Sequence, residues 1–280
     1  MDCYICQTCG TQFAQTPTPP EHCPICEDER QYVGHNGQRW STLAELHANH
    51  HSVIKEQEPN LIGIGTEPRF AIGQRALLIQ TPHGNVLWDC ISLLDDTIID
   101  TIQNLGGLAA IAISHPHYDT SMVEWSHAFG GIPIYLHAGD RKWVMRPDPA
   151  IVFWEGATHE LVPGITLIHC DGHFAGATVL HWADGANGRG ALLTGDILYV
   201  VEDRRYVTFM YSYPNYIPLS GQAVQYIMDA IEPYGFDRIY SAWFERIIPC
   251  DDKAATQRSA ERYLQALSGT LDGGRAKISS

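Results

Sequence analysis

An apolar run, Ala109-Ala110-Ile111-Ala112-Ile113, opens directly onto Ser114-His115-Pro116-His117-Tyr118-Asp119. No other feature limits the fold of this chain as strongly. A run this short and apolar reads as a buried strand. Polar residues just past the carboxyl end of such a strand stand where mixed α/β sheets place ligands. His115 and His117 are two apart, so in extended chain their rings point to one side, and Asp119 continues the alternation. The same arrangement recurs twice. The strand-like Thr166–Cys170 ends in Asp171-Gly172-His173-Phe174-Ala175-Gly176, and Ala191–Thr194 ends in Gly195-Asp196. Three strand ends that each deliver a metal-competent side chain point to a metal site assembled at one edge of a sheet.

The remaining pattern supplies a fold around those ends. Short apolar runs at 61–65, 75–80, 85–90, 132–137, 165–170, 177–183, 190–194 and 237–241 read as strands. Segments 95–105, 121–130, 219–231 and 251–267 carry helical period. Strands follow one another partly as hairpins and partly through crossover helices, which predicts a mixed sheet sandwich with helices outside. Residues 38–59 read as a connection holding a short helix capped near Ser41-Thr42 and stopped before Pro59, with His47, His50 and His51 on its polar face.

The first 37 residues are a separate module. Five of the eight cysteines lie there, and Cys6-Gln7-Thr8-Cys9 with Cys23-Pro24-Ile25-Cys26 makes a paired CxxC pattern. Two such turns give four thiolates around one ion. A segment this short cannot build a sufficient apolar core, so metal binding supplies its folding energy. Cys3 is a bystander or an alternative partner of Cys6. Tetrahedral sulfur suits zinc and iron alike. Residues 6–26 resemble a short rubredoxin-like or zinc-ribbon module, including the Cys-Pro-x-Cys turn.

In order and spacing, His-x-His-x-Asp, Gly-His-x-x-Gly and Gly-Asp resemble the metallo-β-lactamase superfamily over roughly residues 60–245. The resemblance implies an α+β, four-layer αββα sandwich in a domain spanning 60–280. It implies that His115, His117 and His173 hold the first metal, that Asp196 bridges or flanks it, that Asp119 corresponds to the second-metal aspartate, and that Asp89 is structural. Two positions depart from the pattern: residue 120 is Thr, and Ser241-Ala242-Trp243 stands where a last histidine belongs. Two carboxylates without a nitrogen hold zinc poorly, so one zinc ion is expected; the alternative is a second ion for which Glu245 or Cys250 substitutes from the same loop.

The resemblance further implies a hydrolase that attacks an ester, thioester or lactone carbonyl through metal-bound hydroxide, since a bound zinc lowers the pKa of its water to about 7. Asp119 serves as general base and Asp196 as ligand or second proton acceptor. The rivals are a mononuclear iron oxygenase of the persulfide-dioxygenase type and a non-catalytic metal-binding interaction protein. The aromatic segment Tyr199–Pro218 either roofs the pocket or covers a sheet edge or a contact between copies, so a homo-oligomer stays open.

A net charge of −14, with Arg30 the one strong base in residues 1–36, argues against nucleic acid as partner. No run approaches the roughly 18 apolar residues of a membrane span, and no signal peptide is evident. The expectation is a cytoplasmic protein acting on a small-molecule substrate.

Overall fold

The computed structural model describes residues 1–271. Residues 272–280 of the expected 60–280 domain lie outside the described residues. Two sheets dominate. The larger has seven strands in the order His51–Glu58, Leu61–Glu67, Ala76–Ile79, Val86–Trp88, Ala110–Ala112, Ile134–His137 and Ile151–Trp154. Its first four strands form an antiparallel meander, and the last three pairings are parallel. The six-stranded sheet runs Thr158–Val162, Ile165–His169, Thr178–Trp182, Ala191–Gly195, Arg238–Ser241 and Ile247–Ile248, with one parallel pairing between Ala191–Gly195 and Arg238–Ser241.

Side-chain alternation explains the layering. Leu77, Trp88 and Ala112 of the larger sheet pack with Leu167, Leu180 and Leu193 of the smaller one, in a core between the sheets. Their neighbours Leu78, Leu87 and Ile111 point outward onto Ile98 and Ile102 of helix Asp96–Asn104 and onto Val123 and Trp125 of helix Met122–Ala128. On the smaller sheet Ile168, Val179, Leu192 and Ile239 meet Val224, Ile227 and Ile231 of helix Gly221–Ile231, and Ala255 and Ala260 of helix Asp252–Ser268. Helices therefore flank two stacked sheets, the four-layer αββα arrangement expected.

Residues 51–58 fall in the expected connection, but they form the edge strand of the larger sheet. The helix of that connection is Leu43–Asn49, capped by the Thr42 side chain, which accepts from Glu45 N at 3.2 Å. Among the described residues no helix is long and apolar enough to cross a membrane.

The N-terminal module does not stand apart. Cys6, Cys9, Cys23, Ile25 and Cys26 belong to the same buried cluster as Trp143, Phe174 and Leu192. Ser92 Oγ donates to Gly10 O at 2.8 Å, Gln12 N donates to Thr120 O at 2.9 Å, and Ala14 N donates to Met145 O at 3.1 Å. Gly10, at φ +86°, is needed there: a Cβ would come within 2.7 Å of Ser92 Oγ.

Candidate metal centre

Each expected ligand stands where a strand stops. The strand Ala110–Ala112 ends two residues before Ser114, whose backbone N–H donates to Asp89 Oδ1 at 2.7 Å. Asp89 follows the neighbouring strand Val86–Trp88 in left-handed backbone (φ +59°), which turns its carboxylate back across the strand ends. It therefore fixes the start of the His-x-His loop. His117 lies on the short 3-10 turn Pro116–Tyr118. His173 is carried by the turn after Ile165–His169, and Asp196 follows the strand Ala191–Gly195.

His115, His117, His173 and Asp196 converge, each offering one ligand atom, with all of these atoms within 4.8 Å of one another. All four residues are buried. His115 Nε2 and His173 Nε2 lie 3.1 and 3.6 Å from Asp196 Oδ1. Those three atoms and both ring nitrogens of His117 are buried without a hydrogen-bond partner among the described residues. Buried polar atoms are ordinarily paired, so an orphaned set that converges on one point fits a cation. The outer nitrogens of the other two rings are oriented: His173 Nδ1 meets Met210 O at 2.9 Å, and His115 Nδ1 meets Ser114 Oγ at 3.1 Å. Such outer partners set ring orientation and the nitrogen that faces a metal.

Electrostatics agree. Burial pulls His173 down to about 4 and holds His115 and His117 well below the usual imidazole value, so all three present lone pairs at neutral pH. Burial, with the charge of Asp89, pushes Asp196 up to about 8; a cation against its carboxylate would reverse that penalty.

Asp119 does not join this set. It is buried, both carboxyl oxygens lack partners among the described residues, and burial with the charges of Asp140 and Asp89 raises its pKa well above the carboxylate range. Glu245 and Cys250 also stay outside the set. The two departures from the superfamily pattern have visible occupants. Thr120 faces the N-terminal module, which hydrogen-bonds its carbonyl. Trp243 donates from Nε1 to Ile72 O at 3.1 Å and packs edge-on against Tyr199.

A cavity of about 320 Å³ opens over His117 and Asp196, walled by Tyr213, Trp243, Ala71 and Ile72, with Arg69 and the module residues Thr8, Arg30, Gln31 and Tyr32. Of the aromatic segment, Tyr213 reaches this cavity and donates from its hydroxyl to Asp196 O at 2.6 Å, whereas Phe209 is buried in the outer core and Tyr216 is exposed. Tyr118 packs edge-on against His115 and is fully buried.

The second set is Cys6, Cys9, Cys23 and Cys26, with Sγ–Sγ separations of 3.5 Å (Cys6–Cys26) and 3.7 Å (Cys9–Cys23). A tetrahedral ion with 2.3 Å metal–sulfur bonds needs roughly 3.8 Å between sulfurs, so these four thiolates fit one ion. Gln38 Nε2 donates to Cys6 Sγ at 3.0 Å. Cys3 is not part of the set, and neither are His47, His50 and His51.

Comparison with known proteins places this architecture. No family model matches the chain. Over 273 residues it is 50% identical to the uncharacterized protein YmaE of Bacillus subtilis (strain 168), covering 97% of this chain and 99% of that protein. The chain belongs to the YmaE family. The fold of this YmaE relative is that of metallo-β-lactamases. It superposes on VMB-1 with a TM-score of 0.58 at 13% identity, covering 78% of this chain and 98% of that one. For DIM-1 metallo-β-lactamase exposed to ceftazidime the score is 0.57 at 13% identity, with 77% and 98% covered. For the mono-zinc form of FIM-1 from Pseudomonas aeruginosa it is 0.54 at 11% identity, with 79% and 96% covered.

At the centre, sequence reasoning missed Arg30. It registered only as an isolated base in an acidic module, although it reaches the carbonyl of His173. Nothing local in the sequence marks that contact.

Proposed function

We propose that this protein is a metal-dependent hydrolase of a small carbonyl substrate, an ester, thioester or lactone, with one metal ion at the histidine–aspartate centre. The observation that carries the reading is the convergence of His115, His117, His173 and Asp196 below a cavity whose volume suits a small molecule. One ion is the better count because residue 120 is Thr, residue 243 is Trp, and Asp119 lies outside the ligand set. Three imidazoles and a carboxylate suit zinc, and the four thiolates suit a structural zinc or iron.

A metal ion held there supplies Lewis acidity and activates a coordinated water. The chain's own residues do the rest. His115 and His173 are held by Ser114 and by the Met210 carbonyl, so their inner nitrogens stay fixed. Asp119, whose oxygens have no partner among the described residues, is held protonated by burial on its own; beside a cation in the neighbouring centre its pKa would fall, making it available as a proton acceptor. Tyr213, Trp243 and Ile72 exclude bulk water and orient an apolar substrate body.

The test combines elemental analysis of protein purified without added metal with panels of esters, thioesters and lactones. Two zinc ions per chain and turnover that is lost in His173→Ala support the reading. Iron at the histidine–aspartate centre with oxygen consumption and no hydrolysis sinks it.

A further inference from the structure

The four-cysteine module reaches the backbone of a metal-centre residue through Arg30. Arg30 Nη1 donates to the carbonyl oxygen of His173 at 3.1 Å. Its guanidinium carbon lies 3.9 Å from the ring centroid of Phe174, with Trp143 and Tyr211 farther out at 5.3 and 5.4 Å. Phe174 in turn contacts all three imidazoles, with ring centroids 5.4 Å from His115, 4.9 Å from His117 and 5.2 Å from His173. One guanidinium thus clamps the backbone of one ligand and backs the aromatic ring against which all three rest.

Arg30 is itself held. Asp28 grips it through Nε at 2.6 Å and Nη2 at 2.8 Å, and its side chain is 12% exposed. The carbonyl between them, that of Glu29, accepts from Ser212 Oγ at 2.7 Å and Asn215 Nδ2 at 2.8 Å. The segment therefore starts at the thiolate ligand Cys26, is pinned at Glu29, and ends in the cavity wall at Arg30, Gln31 and Tyr32. A fixed fork of donors stacked on an aromatic face is a role that Arg fills and Lys fills only in part.

We propose that Arg30 is a positioning residue of the histidine–aspartate centre, and that the four-cysteine site, by fixing the segment that carries Arg30, sets the metal affinity of that centre. The inference rests on the reading of His115, His117, His173 and Asp196 as a metal centre. Loss of a partner bonded to a ligand's own side chain costs about 10–100-fold in metal affinity; Arg30 acts through the His173 backbone and the Phe174 ring, so the lower end of that range is expected.

The experiment is a cobalt(II) titration of the full chain, because cobalt in thiolate sulfur shows intense charge-transfer bands and cobalt in nitrogen–oxygen ligands shows only weak visible bands. In Arg30→Gln the thiolate bands are expected to fill as in the wild type, while the affinity of the histidine–aspartate centre falls about 10-fold. Arg30→Lys is expected to recover part of that loss. An affinity within twofold of wild type in Arg30→Gln, with the thiolate bands intact, overturns the proposal. Should that variant fold poorly, Ser212→Ala/Asn215→Ala frees Glu29 without touching either ligand set. It is expected to weaken the same centre by a smaller factor, and no weakening overturns the proposal. A wild-type chain with no histidine–aspartate cobalt band overturns the metal-centre reading and the inference with it.

Discussion

His115 Nε2 and Asp196 Oδ1 stand 3.1 Å apart with no hydrogen bond between them. Both atoms are buried, burial keeps His115 neutral and raises Asp196, and a cation shared between them would satisfy both at once. Asp196→Asn removes the anionic donor and keeps the shape. The affinity of the histidine–aspartate centre is expected to fall by at least the roughly 100-fold that loss of an outer partner alone can cost. The thiolate site should stay filled, so metal per chain drops by one equivalent. Unchanged stoichiometry and affinity would remove Asp196 from the ligand set.

Asp119 makes a different prediction because it sits near the centre without joining it. Asp119→Asn is expected to leave metal content unchanged and to lower kcat by roughly 10²–10⁴-fold with little change in KM, the signature of a lost proton acceptor. A variant with full kcat would return that role to Asp196.

How much of this was legible in the sequence depends on whether the information was local. Each ligand stands at the end of an apolar strand, and strand ends are written in short runs such as Ala109–Ile113. The spacing of His115 and His117, the Gly-flanked His173 and the Gly195-Asp196 pair therefore carried the centre. The edge strand His51–Glu58 was not legible, because its sequence HSVIKEQE is largely polar and an edge strand with solvent on one side needs little apolar signal. The strands Ile151–Trp154 and Thr158–Val162 were not read either; both are edge strands, and the second, THELV, carries little apolar signal. Docking of the module was also hidden. The bond from Gln12 N to Thr120 O joins residues far apart in sequence, and only the packed fold shows that Thr120 meets another part of the chain where the superfamily pattern has a ligand.

Asp140 gives a stability prediction. Its Oδ1 accepts from Gly176 N at 2.9 Å in the turn that carries His173, while its Oδ2 is buried without a partner. Burial pushes its pKa up to about 7 from the ordinary 3.8. A carboxyl raised on folding contributes stability that is fully present below its unfolded value and is lost as the pH rises through about 7. The full shift corresponds to about 4 kcal/mol at a pH above both values. Asp89, also raised to about 7 by burial, adds to the same trend. Urea unfolding of metal-free protein is therefore expected to show stability falling between about pH 4 and pH 7. Asp140→Asn should flatten that fall and gain relative to wild type at the higher pH. Parallel profiles for the two proteins would show that Asp140 ionises normally in the folded state.

Trp243 sets the width of the cavity. Its ring stands between Tyr199 and the Ile72 carbonyl, held by the Nε1 bond at 3.1 Å, and it lines the cavity together with Tyr213. Removing the indole in Trp243→Ala enlarges the apolar wall without altering any ligand, so the metal stoichiometry and affinity should hold. The discrimination between acyl groups should change instead. A pocket contact of about one methylene is worth about 1–3 kcal/mol, so kcat/KM for a bulkier acyl substrate is expected to rise by about tenfold or more relative to a small one. The comparison requires only two substrates differing in acyl length, assayed on wild type and variant under the same metal loading. A ratio that does not move would place the specificity wall elsewhere, on the module residues Gln31 and Tyr32 that also line the cavity.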